Sequence, residues 1–450
     1  MGNIIGTGEV VLLLDNYQAD SQNLHTSFKL AGKNYPVAVI EDDGFLPDDV
    51  MSVFGYFLGD FKNSSKNPGK ARYFNQIIVP EYWEISANNT SGKVHNLNKE
   101  RARIFYAAPS HKRLVRIVDW MDERGIVRSS DHYNKYGALY ARTVFNAKGQ
   151  KVNRTYFSAE GEEIIHVNYV TNDIILNEGN TVRFFKNLTE FVCYFMKVTG
   201  LAEKRIFFNT LSTSFFVSRR MPATGKKDIL FWQEPERPDI PGNMKIILEG
   251  DSPRDCEIKV QNKDAYKKLL ALGASGEIVH SLGYIYPFKK ECEYKPEVYI
   301  CTNSDQIAHC QKLIEAFPQL HFHIAAITEM SSKLMSMESY ANVSLYPGVK
   351  TAVAEELFMK CDIYLDINHQ GEILDAVKTA FMHNQLIFAF KETLHNASFV
   401  AEEHIYKMDD VDRMISDLQM ILLDKELMQR HLEMQHQSAM LEEKEAYLEL

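Results

Sequence analysis

Four short stretches carry the side chains best suited to binding chemistry: TNSD at 302–305, TEMSS at 328–332, YPG at 346–348 and NHQGE at 368–372. Each follows an apolar run and precedes residues of helical period, so each falls where a strand ends and a helix begins. Hydroxyls, amides and carboxylates there, with the free N–H groups of a first helical turn, suit an anion or a sugar. Asn303, Ser304, Asp305, Thr328, Glu329, His369, Gln370 and Glu372 are therefore the candidate acceptor- or sugar-recognition residues. Helix capping is the competing explanation, since Ser304 or Asp305 and Thr328 are good N-cap types. Other chemistries lack their residues. The sequence has no G-x-x-x-x-G-K-[ST] loop and no G-x-G-x-x-G fingerprint, which leaves ATPase and nicotinamide chemistry with little support. The two histidines of HFH (321–323) share a strand face without carboxylates nearby in sequence, so packing is favoured over metal binding. Cys193, Cys256, Cys292, Cys301, Cys310 and Cys361 form no C-x-x-C pair and read as buried reduced thiols. No metal or cofactor is expected.

The elements that must hold these loops alternate between strand and helix. From about Tyr284, EVYICT, HFHIAA, NVSLYP, DIYLDI and LIFAF alternate with helical stretches such as QIAHCQKLIEAF, TAVAEELFMK and EILDAVKTAFMH. This pattern predicts a parallel sheet with helices on both faces, whose ligands sit beyond the carboxyl ends of the strands. At the other end of the chain, EVVLLLD, a helix striped by Leu24, Phe28 and Ala31, and YPVAVIEDD make one βαβ unit, too small to stand alone. RIFFNT, KDILFWQE and EIVHSLGYIY can complete its sheet. Between them, from about Tyr73 to Phe185, the period changes to alternation. The turns DERG, NKYG, NAKG and SAEG end at Gly125, Gly137, Gly149 and Gly161, twelve residues apart, and TND ends on the next beat at Asp173. A four-residue turn plus eight strand residues gives strands of roughly 27 Å in an antiparallel meander, with glycine supplying positive φ.

The expected organisation is 1–43 as the first part of an N-terminal Rossmann-like domain and 44–186 as an extended antiparallel β-meander insertion. Residues 187–283 form the second part of that domain, and 284–450 a C-terminal Rossmann-like domain with terminal helices. The meander's faces need cover, either from the body of the same chain or from another subunit; Val118, Asp119 and Trp120 are the candidate partner contacts. The tail from Asp409 is expected to pack on the body, with a charged coiled-coil contact as the alternative.

Bulk properties narrow the class. A length of 450 residues points to about three domains, and 45% hydrophobic residues can fill several cores. A net charge of −10 argues against general nucleic-acid binding. The start MGNIIGTGEVVLLLD lacks a basic n-region, and its apolar run is short for a signal peptide or membrane span, so a cytoplasmic protein is expected. MGNIIG is similar to a myristoylation signal, but Gly6 stands where Ser or Thr is wanted; peripheral association with the cytoplasmic face of a membrane stays open.

Two doubly wound domains, the first carrying a β insertion, is the general plan of GT-B glycosyltransferases, whose ligands occupy the interdomain cleft. The run CDIYLDINHQGEILDAVKTAFMHNQLIFAF (361–390) resembles their donor-sugar pocket. Active members commonly place one Glu near the sugar, a second on the ribose eight positions later, and an Arg–Lys pair on the diphosphate. Each such electrostatic stabiliser can be worth about 10²–10³ in rate. Counting back from LIFAF puts the two acid positions at Gly371 and Thr379; sliding by one residue gives Glu372 but pairs it with Ala380. Neither register yields the pair. Tyr284 follows Gly283 where Arg is common, although Lys289 and Lys290 are near.

GFLPDD (44–49), YFLGD (56–60), VDWMDERG (118–125), SDHYNKYG (130–137), PGNM (241–244), LGYIYPF (282–288), TNSDQI (302–307), IAAITEMSSKL (324–334) and CDIYLDINHQGEI (361–373) together span most of the chain. By these runs it resembles the non-catalytic co-activator subunit of the O-GlcNAc transferase that glycosylates serine-rich-repeat adhesins of the accessory Sec system. The resemblance implies a GT-B fold and a catalytic partner of similar architecture, joined in a hetero-oligomer with two copies of each. That partner would transfer GlcNAc from UDP-GlcNAc to Ser or Thr, while this subunit would bind the acceptor and stabilise its partner. The alternatives are an active retaining transferase using Glu329 or Glu372 and a UDP-sugar, or a free-standing chaperone or carbohydrate-binding protein.

Overall fold

Apolar runs decide where the sheets lie. The computed structural model describes residues 9–450 except 65, 67 and 252, so the MGNIIG start lies outside the described residues. The chain divides into two units: most of the chain up to His280, and Ser281–Leu450 together with Thr26–Gly32 and Gln261–Lys263.

The first unit contains a seven-stranded sheet in the spatial order Val279–Ser281, Cys256–Val260, Asp228–Trp232, Arg205–Phe208, Val10–Leu14, Val37–Val39 and Val50–Ser52. Neighbours from Cys256–Val260 to Val50–Ser52 pair in parallel. VVLLL and DILFW are buried at every position, the pattern of strands covered on both faces. At the amino end of Asp228–Trp232, Arg254 grips the Asp228 carboxylate through Nε and Nη2, each at 2.7 Å. The Ser218 hydroxyl donates to the same carboxylate at 2.6 Å and the Ile206 N–H at 2.8 Å, and both ionic side chains are buried.

Ten strands between Glu84 and Phe185 form an antiparallel sheet in strict sequence order. Its hairpins share one turn. Gly125, Gly137, Gly149 and Gly161 all have φ between 75° and 85°, and each N–H donates to the residue three before it. Asp122, Asn134, Asn146 and Ser158 each accept two further N–H groups through a side-chain oxygen. At the fifth turn the positive φ falls one residue before the beat, on Asn172. Antiparallel pairing sets Asp131 beside Arg142 and Thr143 beside Arg154, with Trp120 on the neighbouring strand. Trp120 Nε1 donates to Asp131 at 3.0 Å, Arg142 grips Asp131 at 2.5 Å, and Arg154 donates to the Thr143 hydroxyl at 2.8 Å.

The sheet is covered in two ways. Tyr156, Ile165, Leu176 and Phe185 join the core of the parallel sheet, where Phe54 stacks on Tyr156 at 4.5 Å. Val94, Ile104, Val118 and Tyr133 make a separate cluster with Phe74, Ile77 and Trp83 from the segment before the meander. Thr155, His166, Ile175 and Phe184 stand in register across four strands, and Phe184 is 62% exposed there. The body of the chain thus covers part of the surface and leaves part open.

The second unit has a six-stranded parallel sheet, ordered Val343–Tyr346, His321–Ala326, Glu297–Thr302, Ile363–Asp366, Leu386–Phe390 and Ile405–Tyr406. The terminal helices Val411–Leu423 and Lys425–Ser438 place Met414, Leu418, Ile421, Met428 and Leu432 in its core. Gln435 fastens them to the sheet, accepting from Ile387 N at 2.8 Å and donating to Gln385 O at 2.9 Å. The tail therefore packs on its own unit. With two doubly wound sheets and a long antiparallel insertion in the first unit, the fold is α/β.

Candidate functional site

The order of the second sheet reverses between Glu297–Thr302 and Ile363–Asp366, so their carboxyl ends frame the crevice where such sheets bind ligands. Thr302 and Asn368, both buried, join the two loops: the Thr302 hydroxyl donates to Asn368 Oδ1 at 2.8 Å. Asn303 Nδ2 donates to Gly371 O at 3.3 Å, and His369 N to Gln306 O at 3.0 Å. Asn303, Ser304, His369, Gln370, Gly371 and Glu372 are thereby gathered at one strand-end crevice.

Capping turns out differently from its expectation. The helix after TNSD begins only at Cys310, with His309 before it in the left-handed region. Ser304 instead accepts from Gln306 N at 2.9 Å in a local turn. After TEMSS the cap is Ser331, not Thr328. Asp305, Thr328 and Glu329 make no side-chain hydrogen bond among the described residues, so their polar groups are free to meet a ligand. Thr328 and Glu329 follow the neighbouring strand His321–Ala326 and do not bond to the Asn303–Glu372 group.

Of the two positions expected to be degenerate donor positions, 371 is the less constrained. A Cβ on Gly371 would meet nothing within 4 Å, so no packing excludes an acid there. Thr379 is half-buried and donates to Leu374 O at 3.2 Å. Glu372 cannot act for either, because its Oε1 accepts from Val377 N at 2.9 Å and holds the start of the next helix. Burial first, then the backbone bond and the nearby Asp375 and Asp366, set its titration, with the net shift upward. The two lysines are also engaged. Lys290 pairs with buried Asp362, which precedes Ile363 and so lies at the amino end of the strand, away from the crevice. Lys289 lies 3.8 Å from Glu355. Gly283 is locked by packing: a Cβ there would come within 1.7 Å of Met440 O.

One residue at the crevice escaped the sequence reading. His395 donates through Nδ1 to Asp366 at 2.5 Å and through Nε2 to Gln370 O at 2.5 Å, while its N–H donates to the other Asp366 oxygen at 2.8 Å. The Asp366 bond pushes its pKa up to about 9, against desolvation, so an imidazolium pins the 368–372 loop. The available signal was its place just beyond LIFAF, the strand next to DIYLD. In HFH, His323 is buried and bonded to Glu297 and Tyr346, whereas His321 bonds to Ser344.

The crevice therefore presents amides, carbonyls and hydroxyls around a pinned loop, without an acid pair or a free cation pair for a leaving diphosphate among the described residues. Such a site can bind a polar chain or sugar. Of the proposed partner contacts, Val118 is fully buried in its own cluster and Trp120 donates to Asp131. Asp119 accepts from Ser130 at 2.5 Å.

Four family models match in series: the GtfB N-terminal domain (residues 11–57), the GtfB middle domain (83–186), the GtfB third domain (188–272) and the GftB/GlyA-F C-terminal domain (298–435). The UDP-N-acetylglucosamine–peptide N-acetylglucosaminyltransferase stabilizing protein GtfB of Streptococcus gordonii is 40% identical over 96% of this chain and 95% of its own length. Its counterpart from Streptococcus pneumoniae is 39% identical over 96% of each. A chain in the crystal structure of a GtfA/B complex bound to UDP and GlcNAc superposes with a TM-score of 0.90 at 40% identity, covering 98% of both chains. This chain belongs to the GtfB family of peptide N-acetylglucosaminyltransferase-stabilizing proteins.

Proposed function

We propose that this chain is the non-catalytic subunit of an O-GlcNAc transferase complex. It stabilises and activates a catalytic partner that transfers GlcNAc from UDP-GlcNAc to Ser or Thr, and it grips the serine-rich acceptor, an adhesin modified in the cytoplasm before export. The observation that carries this reading is the crevice itself: Gly371 and Thr379 stand at the proposed acid positions, Glu372 accepts from Val377 N at the start of a helix, and Lys290 is engaged by Asp362 at the amino end of Ile363–Asp366. Family membership supports it.

A serine-rich acceptor is disordered, and ordering it opposes binding. A subunit that holds one stretch raises the effective concentration of neighbouring serines at the catalytic cleft. The free side chains of Asp305, Thr328, Glu329 and His369 are the proposed acceptor contacts. The meander is the proposed subunit interface in a hetero-oligomer with two copies of each chain. Val118 would contribute by shaping the sheet, since it is buried.

The test is transfer of labelled GlcNAc from UDP-GlcNAc to a serine-rich acceptor by this chain, by the transferase, and by the mixture. A strong rise only on mixing is expected. Robust transfer by this chain alone would overturn the proposal and return the active-transferase reading. For the acceptor site, alanine at His369 and Thr328 should weaken acceptor binding by the isolated chain; undiminished binding would remove the crevice from consideration.

A further inference from the structure

Three of the runs that carry the family resemblance play no part in the crevice. GFLPDD, YFLGD and SDHYNKYG meet within the first unit around a separate cavity of about 350 Å³. Gly44 makes this junction possible. Its φ is +86°, and a Cβ would stand 2.8 Å from Tyr133 O and 2.9 Å from Tyr140 Cε1. The Lys135 N–H donates to Gly44 O at 2.8 Å, and the Tyr140 hydroxyl to Asp42 O at 3.2 Å, so loop and hairpin form one wall.

We propose that this cavity is a binding site for a single pyranose sugar. Its volume is at the small end of the ~300–1,000 Å³ range of ligand pockets, room for one ring rather than a nucleotide. Asp42, Asp48 and Asp60 on the lining repel an anion. A cation is disfavoured because Lys135 already neutralises Asp48, and Lys62 on the lining lies near Asp60. No group of three or more metal-ligating side chains occurs among the described residues. A neutral, hydroxyl-rich ligand remains, and it needs acceptors, donors and a ring to lie against.

The cavity has all three. Asp42 and Asp60 are acceptors, and the aromatic rings of Tyr136 and Phe61 line the wall. The donor is Asn134, which is 6% exposed. Its Oδ1 accepts from Tyr136 N and Ala138 N, both at 3.1 Å, while its Nδ2 has no partner among the described residues. An amide donor without a protein partner, on a cavity wall where solvent reaches it, is a place for a ligand oxygen. Burial holds the Asp42 carboxyl above its ordinary range, opposed by the Gly44 N–H and the Ser52 hydroxyl.

The inference concerns this chain alone and does not depend on its role in transfer. The test is ligand-observed saturation-transfer NMR on the full chain, without partner or UDP-sugar, using N-acetylglucosamine, glucose and an unglycosylated serine-rich peptide as probes. Asn134→Asp is the informative variant. Asp122 already fills the matching place in the preceding hairpin with the same two N–H bonds, so the turn survives while the donor is lost. Sugar signal from the wild type, weakened about tenfold in affinity by Asn134→Asp, is the expected result. Tyr136→Ala, with its fold checked by circular dichroism, should weaken it too. Sugar signal unaffected by Asn134→Asp, no sugar signal from the folded wild type, or signal from the peptide alone would each overturn the proposal.

Discussion

At the scale of single residues, buried charge and its partners set the strongest expectations. Asp228 and Arg254 are both almost fully buried and answer each other through two bonds, with Ser218 and Ile206 completing the carboxylate's shell. Removing one partner leaves the other charge buried without its counterion, so Arg254→Met should cost about 3–5 kcal/mol, read by urea unfolding of the isolated chain. A loss below about 1 kcal/mol would show that the pair is dispensable. His395 gives a pH dependence. Its pKa rises from 6.5 to about 9 on folding, so its contribution is fully present below 6.5 and is lost as pH rises through about 9. The difference in melting temperature between wild type and His395→Gln should therefore be largest near pH 6 and shrink towards alkaline pH. A difference that stays constant across that window would contradict the imidazolium assignment. Gly371→Glu should fold normally, because the Cβ site is open, yet gain no UDP-GlcNAc hydrolysis, since the second acid and the cation pair remain absent.

Among the elements, the meander shows how a short repeat becomes a long sheet. The twelve-residue beat is visible in the spacing of four glycines. All four take positive φ, because a left-handed residue closes each hairpin. The turns look alike in sequence but differ in their surroundings. A Cβ on Gly149 meets nothing within 4 Å, whereas one on Gly137 would stand 2.5 Å from Lys70 O. Gly149→Ala should thus cost about 1 kcal/mol from backbone strain alone, and Gly137→Ala distinctly more. Chemical unfolding of the two variants checks this, and equal losses would mean that Lys70 moves freely aside. The helix expected from Gln306 is shorter than its periodicity suggests. Residues 306–308 are drawn instead into pairing with the 367–369 loop, where Ile307 bridges Asn368. Tertiary hydrogen bonds outweigh local helical preference at that point.

For the whole molecule, the proposed subunit interface is the part of the meander left open. Val118 and Phe184 both look like apolar strand residues in the sequence, but Val118 is enclosed and Phe184 is mostly exposed. Val118→Asp should destabilise the isolated chain strongly. Phe184→Asp should leave its unfolding free energy within about 0.5 kcal/mol and weaken association with the transferase, measured by analytical ultracentrifugation of the mixture. Undiminished association would move the proposed interface to another part of the sheet.

Strand alternation and the glycine beat were legible without coordinates because they are local: period follows from which face of each element is buried. They sufficed for the α/β class, the two doubly wound sheets and the antiparallel insertion. The residue types at 371 and 379, the proposed acid positions, were legible for the same reason, being a matter of residue type at a given spacing. Relations between distant segments were not legible. That Lys290 is taken by Asp362 at the amino end of Ile363–Asp366, that His395 pins the 368–372 loop, and that Asn134 and Asp42 share a cavity all depend on strand order and register. Those are chosen by the packing of many weak contacts at once, and no short window of sequence records that sum.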